Sequence, residues 1–312
     1  MVLCIVLINK VHTNIPHNLG ADFVCTFKLL KELTMQIIPC SEYPYRVIHN
    51  SSSKQIIYPY LRDLKGNKDM ICITPLHGRS FVVGKTEEGR YIVSKGNGLS
   101  YTQSSFLHTG EFCDGTWGLL LRQDAERDFL IGKEIESLGI KTNHMHYVLE
   151  LDFEINLPNE HKLKPTLLQY DVESPYRICD APFMEHELIQ AEIKKWQLKN
   201  NRGYDKYHMI AAEILISNLR ILHDNNILHN AIHEQNYTWA LELLDFELAC
   251  SSRYPYEKED YRRHVKDLLP REIIQTYVII NYIAGVLREK VEFYDIDSLF
   301  KKYNFDLKKL DY

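Results

Sequence analysis

The hydrophobic pattern of this chain changes period partway along, and no other feature constrains its fold as much. From Met70 the runs ICITPL, SFVVGK and YIVSKG are short and β-branched, separated by HGR and TEEGR. That is the signature of consecutive antiparallel strands in a small sheet. RQDAERDFLIGKEIESLG (122–139) then sets Ala125, Ile131, Ile135 and Leu138 at helical spacing and stops at Gly139. The spacing predicts an amphipathic helix with Asp128 on its inward stripe. Strands are expected around HYVLELDFEI (146–155) and PTLLQYDV (165–172). Past DVESPYR the period lengthens, and EHELIQAEIKKWQLK (185–199) and YHMIAAEILISNLRILHDNN (207–226) read as helices. The stretch 259–290 reads as two more, split near Pro270. A sheet-rich half (1–174) joined by a linker to a helical half (175–312) is a bilobal α+β arrangement.

The first 45 residues are expected to form a strand, a loop and a short helix near FKLLKEL (27–33). The apolar opening VLCIVLI (2–8) suits a buried strand, being far shorter than the roughly 20 residues of a spanning helix. The 312 residues are 45% apolar and 25% charged, an ordinary globular composition with enough chain for a large core. A net charge of -5 supplies no cationic field for a phosphate backbone, so nucleic acid is not an expected partner, and neither is a membrane. Seven scattered cysteines form no CxxC pair. They fit a reducing cytoplasm, where cysteine serves as a small apolar residue.

Four residues are candidates for one site. Lys95 ends the strand YIVSK before the turn GNG, and Asp128 on its inward stripe needs a partner, since a lone buried carboxylate costs several kcal/mol. Asn236 closes the loop HNAIHEQN, and Asp245 follows nine residues later in DFE across an expected hairpin, so both could offer oxygen to one Mg²⁺. Strand lysine, helix carboxylate, loop asparagine and strand-end aspartate, in that order, make the protein-kinase pattern for holding ATP. Ala231 stands where the catalytic loop HRDxxxxN has its base, and DFE replaces DFG.

A closer match accounts for both departures. The chain resembles the selenoprotein O family, whose loop reads roughly HGVMNTDN followed by DYG, against HNAIHEQN and DFE here. The family's GDGR before a strand is similar to LHGRSFVVGK, with Gly78 and Arg79. Its LKGAGRTPYS is similar to SKGNGLSYTQ, with Lys95, Gly96 and Gly98. Its DG pair, with a helix opening REFL and ending LGI, is similar to Asp114 and Gly115, then RDFL and LGI. Its TRVAPSHLRVG is similar to QYDVESPYRIC, which keeps Arg177. The resemblance spans about residues 70 to 250 and lies in collinear order.

The resemblance implies a protein-kinase-like fold that binds ATP and Mg²⁺ and transfers AMP to a protein hydroxyl. Asn236 and Asp245 would hold the metal, Arg79, Lys95 and Arg177 the phosphates, and Gly78, Asp114 and Gly115 the nucleotide. Asp128 replaces the family's glutamate, Tyr170 an arginine expected on the phosphates, and Gln235 the aspartate regarded as the base. Glu234 or His233 beside it are the candidate substitutes. The family's long C-terminal portion has no counterpart. Two further readings share these residues: γ-phosphate transfer to a protein or small-molecule hydroxyl, and a pseudokinase that binds without turnover. His144 and His146, on one strand face with no evident third ligand, are expected to be structural or surface histidines. RYPYEKEDY (253–261) reads as an interlobe loop or a protein contact.

Overall fold

A computed structural model describes residues 35–51, 55–98, 118–156, 162–203, 206–255 and 265–309. The strand, loop and helix expected before residue 35, and most of the GNG-to-TWG stretch, lie outside these residues. The first half is richer in sheet than the small sheet expected. Strands β1 (Gln36–Glu42), β2 (Tyr45–Asn50), β3 (Tyr60–Arg62), β4 (Lys68–Cys72), β5 (Ser80–Lys85), β6 (Tyr91–Lys95), β7 (His144–Leu151) and β10 (Thr166–Val172) join one antiparallel sheet. Its order is β2-β7-β10-β6-β5-β4-β1-β3, and β8 (Ile155–Asn156) pairs separately with β9 (Lys162–Leu163). β7 and β10 lie inside the sheet and are almost wholly buried, although polar His146, Glu150, Gln169 and Asp171 interrupt their Val- and Leu-rich runs.

Helix α1 (Arg122–Ser137) turns Ala125, Asp128, Phe129, Ile131, Gly132 and Ile135 inward. It packs on β7 and β10, and Leu138 and a left-handed Gly139 end it as a C-terminal glycine does. The second half carries α2 (His186–Lys199), α3 (Tyr207–Asp224), α4 (Val265–Val286) and α5 (Phe293–Lys302), with α3 packed on α4 and α5. One core runs through both halves, joining Phe129, Ile131 and Leu168 to Leu215, Trp239 and Phe246. The molecule is therefore a bilobal α+β arrangement, sheet-rich first and helical afterwards.

Two expectations give way. The helix expected to split at Pro270 continues as α4, because proline removes one internal hydrogen bond while Ile273, Thr276, Ile279, Ile280 and Ile283 bury the rest of that face. The expected hairpin ending in DFE is not a ladder. The segment makes only a 3-10 turn at Glu234–Asn236 and isolated bridges such as Tyr237 to Leu243 and Leu228 to Cys250. Leu241 (φ +58°) and Asp245 (φ +69°) lie in the left-handed region, which no extended strand can contain.

Cys40, Cys72, Cys179 and Cys250 are free thiols, and burial followed by Asp69 pushes Cys40 up to about 11, as suits an apolar filler. Among the described residues no helix is long and apolar enough to cross a membrane.

Candidate functional site

The site grows from the last residue of β6. Lys95 is registered between Ser80 of β5 and Leu168 of β10, so its backbone is fixed from both sides. The chain must then leave the sheet through Gly96 at φ +98°. A Cβ there would lie 2.5 Å from the Thr166 carbonyl oxygen and 2.7 Å from Leu120 Cβ, so the position admits only glycine. The Lys95 ammonium is buried and donates to Asp128 Oδ2 at 2.7 Å and Asp245 Oδ1 at 2.6 Å, with Glu247 Oε2 at 3.4 Å. The strand lysine and helix carboxylate expected to meet therefore do so, with an aspartate as the acid.

A shorter acid reaches because α1 comes close. One turn after Asp128, a Cβ on Gly132 would fall 2.5 Å from Met145 Cε and 3.0 Å from the Phe246 ring. The missing side chain lets the helix settle against the DFE segment. Asp128 Oδ1 then accepts the Phe246 N–H at 3.0 Å, so one carboxylate anchors both the lysine and the DFE backbone.

The second half supplies the remaining groups. His229 binds the Leu244 carbonyl through Nε2 at 2.9 Å, and the Leu244 N–H meets the Asn236 carbonyl at 2.9 Å, which clamps the loop to the segment before Asp245. Asn236 donates Nδ2 to the Ala231 carbonyl at 2.9 Å, while its buried Oδ1 has no hydrogen-bond partner. Arg177 is buried, donates Nη1 to the Gln235 carbonyl at 3.2 Å, and interacts electrostatically with Asp245 and Tyr170. Arg79 is ion-paired with Glu247. The preceding Thr74–His77 turn is tied to the helical half by Asp180, which accepts from Thr74 Oγ1 at 2.5 Å and from the Arg177 N–H at 2.6 Å, and pairs with His77 Nε2 at 2.8 Å. Gly78 (φ +57°) would meet nothing with a side chain and is set by its backbone alone.

Charge is dense here. Burial alone would push the Lys95 ammonium down, but Asp128, Asp245 and Glu247 hold it well above its ordinary value. Burial likewise works against the Asp245 carboxylate, and Lys95, Arg177 and Arg79 overcome it and hold it well below the usual range. For Asp128 burial outweighs Lys95, and its carboxyl is raised. Asp128, Asp245 and Glu247 offer oxygens all within 4.8 Å of one another, a group that could hold a metal ion. The Lys95 ammonium, however, is bound to all three. Asn236 Oδ1, buried and unpartnered, and the Asp245 carboxylate are hard oxygen donors of the kind a divalent cation takes.

Lys95, Asp128, Asp245, Arg79 and Arg177 thus lie in one electrostatic cluster, with Asn236 on the loop clamped beside it. Asp114 and Gly115 lie outside the described residues. His233, one of the two candidate substitute bases, accepts the Gln235 N–H through Nδ1 at 3.2 Å, and burial pushes its pKa down. Gln235 donates its amide to the Leu76 carbonyl at 3.2 Å. Buried His146 pairs with Asp171 at 2.8 Å, and His144, half exposed, reaches the same residue at 3.4 Å. Sequence reasoning missed Glu247, Gly132 and Asp180; the acid at the third place of DFE was the one visible signal.

Among the described residues, a cavity of about 10 Å³ lies beside Tyr170, Arg177, Val93 and Leu244. That is room for about one water.

No family model matches the chain, and no curated protein does. Solved structures do, 277 chains in all. Among them is the crystal structure of a Toxoplasma gondii specific rhoptry antigen kinase domain, to which this chain is similar at 9% identity over 93% of its length and 86% of that chain, with a TM-score of 0.39. So low a score transfers nothing to individual residues, and the site stands on its own geometry.

Proposed function

We propose that this chain is a kinase-fold transferase that binds ATP with Mg²⁺ between its two halves and moves AMP onto a Ser, Thr or Tyr hydroxyl of a protein. The observation that carries the reading is the buried Lys95 shared between Asp128 of α1 and Asp245 of DFE. In this reading Arg79, Lys95 and Arg177 orient the phosphates, Gly78 gives the backbone room to approach, and Asn236 with Asp245 holds the metal. A divalent ion so held neutralises charge developing at phosphorus. The acceptor oxygen forms a bond to the α-phosphorus, the bond to the β-phosphate bridging oxygen breaks, pyrophosphate leaves, and the hydroxyl proton passes to solvent or to Glu234. Such transfer depends mostly on positioning and electrostatics, so the loss of a dedicated base at Ala231 and Gln235 lowers the rate without removing the reaction. The choice of AMP over phosphate rests on the resemblance to the selenoprotein O family.

Ala231 and Gln235, standing where a catalytic base is expected, favour a second reading as a pseudokinase that binds a partner without turnover. One experiment separates them: incubation with Mg²⁺ and ATP labelled at the α or the γ phosphate, beside Asp245→Ala. Label retained from the α position supports AMP transfer, and label from the γ position replaces it with kinase activity. Label from neither supports the pseudokinase, and equal labelling by Asp245→Ala sinks the site.

A further inference from the structure

The two cations that face the cleft from the sheet-rich half are already engaged by an internal anion. Glu247 binds the Arg79 guanidinium and lies 3.4 Å from the Lys95 ammonium, although it stands two residues after Asp245 on the opposite half. Its side chain is largely buried, at 18% exposure, so it is a fixed member of the cluster and not a solvated acid that happens to pass nearby. Asp128, Asp245 and Glu247 face Lys95, Arg79 and Arg177 without a ligand, with Asp180 acting on Arg177 as well and paired to His77. Removing Glu247 would take one carboxylate from Arg79 and Lys95 and leave those buried cations more open to an anion.

We propose that Glu247 occupies the place of a phosphate on Arg79 and Lys95, and so makes polyphosphate binding conditional on a divalent cation. This rests on the reading of the cleft as a phosphate site. A metal-free polyphosphate would have to displace Glu247 and would then face three carboxylates with its own charge unneutralised. A polyphosphate arriving with a divalent cation brings a new partner for the displaced Glu247, so every carboxylate keeps a counter-charge. Repulsion of the uncomplexed anion is the discriminating element, and it is a side chain that Arg79 can release.

The test uses the full chain and inorganic tripolyphosphate, with ATP in parallel, titrated by calorimetry in EDTA and in Mg²⁺ against wild type, Glu247→Gln and Glu247→Ala. Wild type is expected to bind both ligands with Mg²⁺ and neither measurably without it. Both variants are expected to bind metal-free tripolyphosphate ~10-fold or more tightly than wild type, the size of an ordinary coupling between sites. Adding Arg79→Gln to Glu247→Gln should abolish the gain, which a merely structural role for Glu247 would not predict. If wild type binds Mg·ATP and the variants gain nothing in EDTA, the gate is wrong and the nucleotide reading stands. If the variants gain tripolyphosphate binding but no form binds ATP, the gate stands and the nucleotide reading falls. If no form binds either ligand with or without Mg²⁺, both fall.

Discussion

Two buried charge clusters lie on either side of Tyr170 and are built on opposite terms. In the first, Glu242 is fully buried and accepts the N–H groups of Glu173 at 2.8 Å and Ser174 at 3.4 Å, the Thr238 hydroxyl at 3.0 Å and Arg90 Nη2 at 2.9 Å. Arg90 goes on to Asp171, which also holds His146, while Glu173 takes Lys141 and Lys199. Much of that network is backbone, and it stitches the β5–β6 hairpin to the turn after Asn236. In the second, Asp128, Asp245 and Glu247 meet side-chain cations, with one backbone N–H, from Phe246. Backbone donors cannot be re-aimed, but lysine and arginine can. The first cluster is therefore a fastening, and the second is a set of charges available to a ligand, built around a left-handed Asp245 of the kind that collects at functional positions.

The contrast can be broken from the strongest side first. Glu242→Ala strands two backbone donors and leaves Arg90 with one acid, and should cost about 3–5 kcal/mol in urea unfolding, the usual penalty for halving a buried pair. Asp245→Asn should act mainly on activity. Transfer of label from ATP should fall by a hundredfold or more, on the order of losing one preorganised electrostatic group, with the urea midpoint falling less than for Glu242→Ala because Lys95 keeps Asp128 and Glu247 as partners. Gly132→Ala tests whether close approach of α1 lets an aspartate serve Lys95. Overpacking against Met145 and Phe246 should cost about 1–3 kcal/mol, and any activity should fall with it. An unchanged melting point would show that the helix has slack.

The smallest expected effect concerns acid. Burial raises the Asp180 carboxyl, but His77, Thr74 and the Arg177 N–H overcome it and hold it below its ordinary value. A depressed acid contributes stability above about pH 4 that disappears as pH falls through the folded value. The urea midpoint should therefore drop between pH 5 and pH 3, and Asp180→Asn should drop less over the same interval. An equal drop would assign the acid sensitivity to Asp171, held low in the same way against burial by His146 and Arg90.

Local pattern carried much of this into the sequence. α2 and α3 were legible nearly to their ends, because apolar residues at 3.6-residue spacing define a helix wherever it packs. Lys95 at a strand end and Asp128 on the inward face of α1 were legible for the same reason. β1 and β2 were not, since their mixed residues become strands only by pairing with β4 and β7. The 229–250 segment promised extended structure, yet its backbone is dictated by the Glu242 network and by Asp245.

What the sequence determined by itself was the division into a sheet-rich and a helical half, and the order in which lysine, helix acid, asparagine and aspartate come along the chain. Only the tertiary structure decided that Asp128 is long enough, because that depends on a glycine one turn away meeting Met145 and Phe246. It alone placed Glu247 on Arg79, 168 residues distant in sequence. Periodicity is a property of neighbours in the chain and can be read from them. Charge pairing across a cleft is a property of neighbours in space, which burial, register and backbone strain must first bring together.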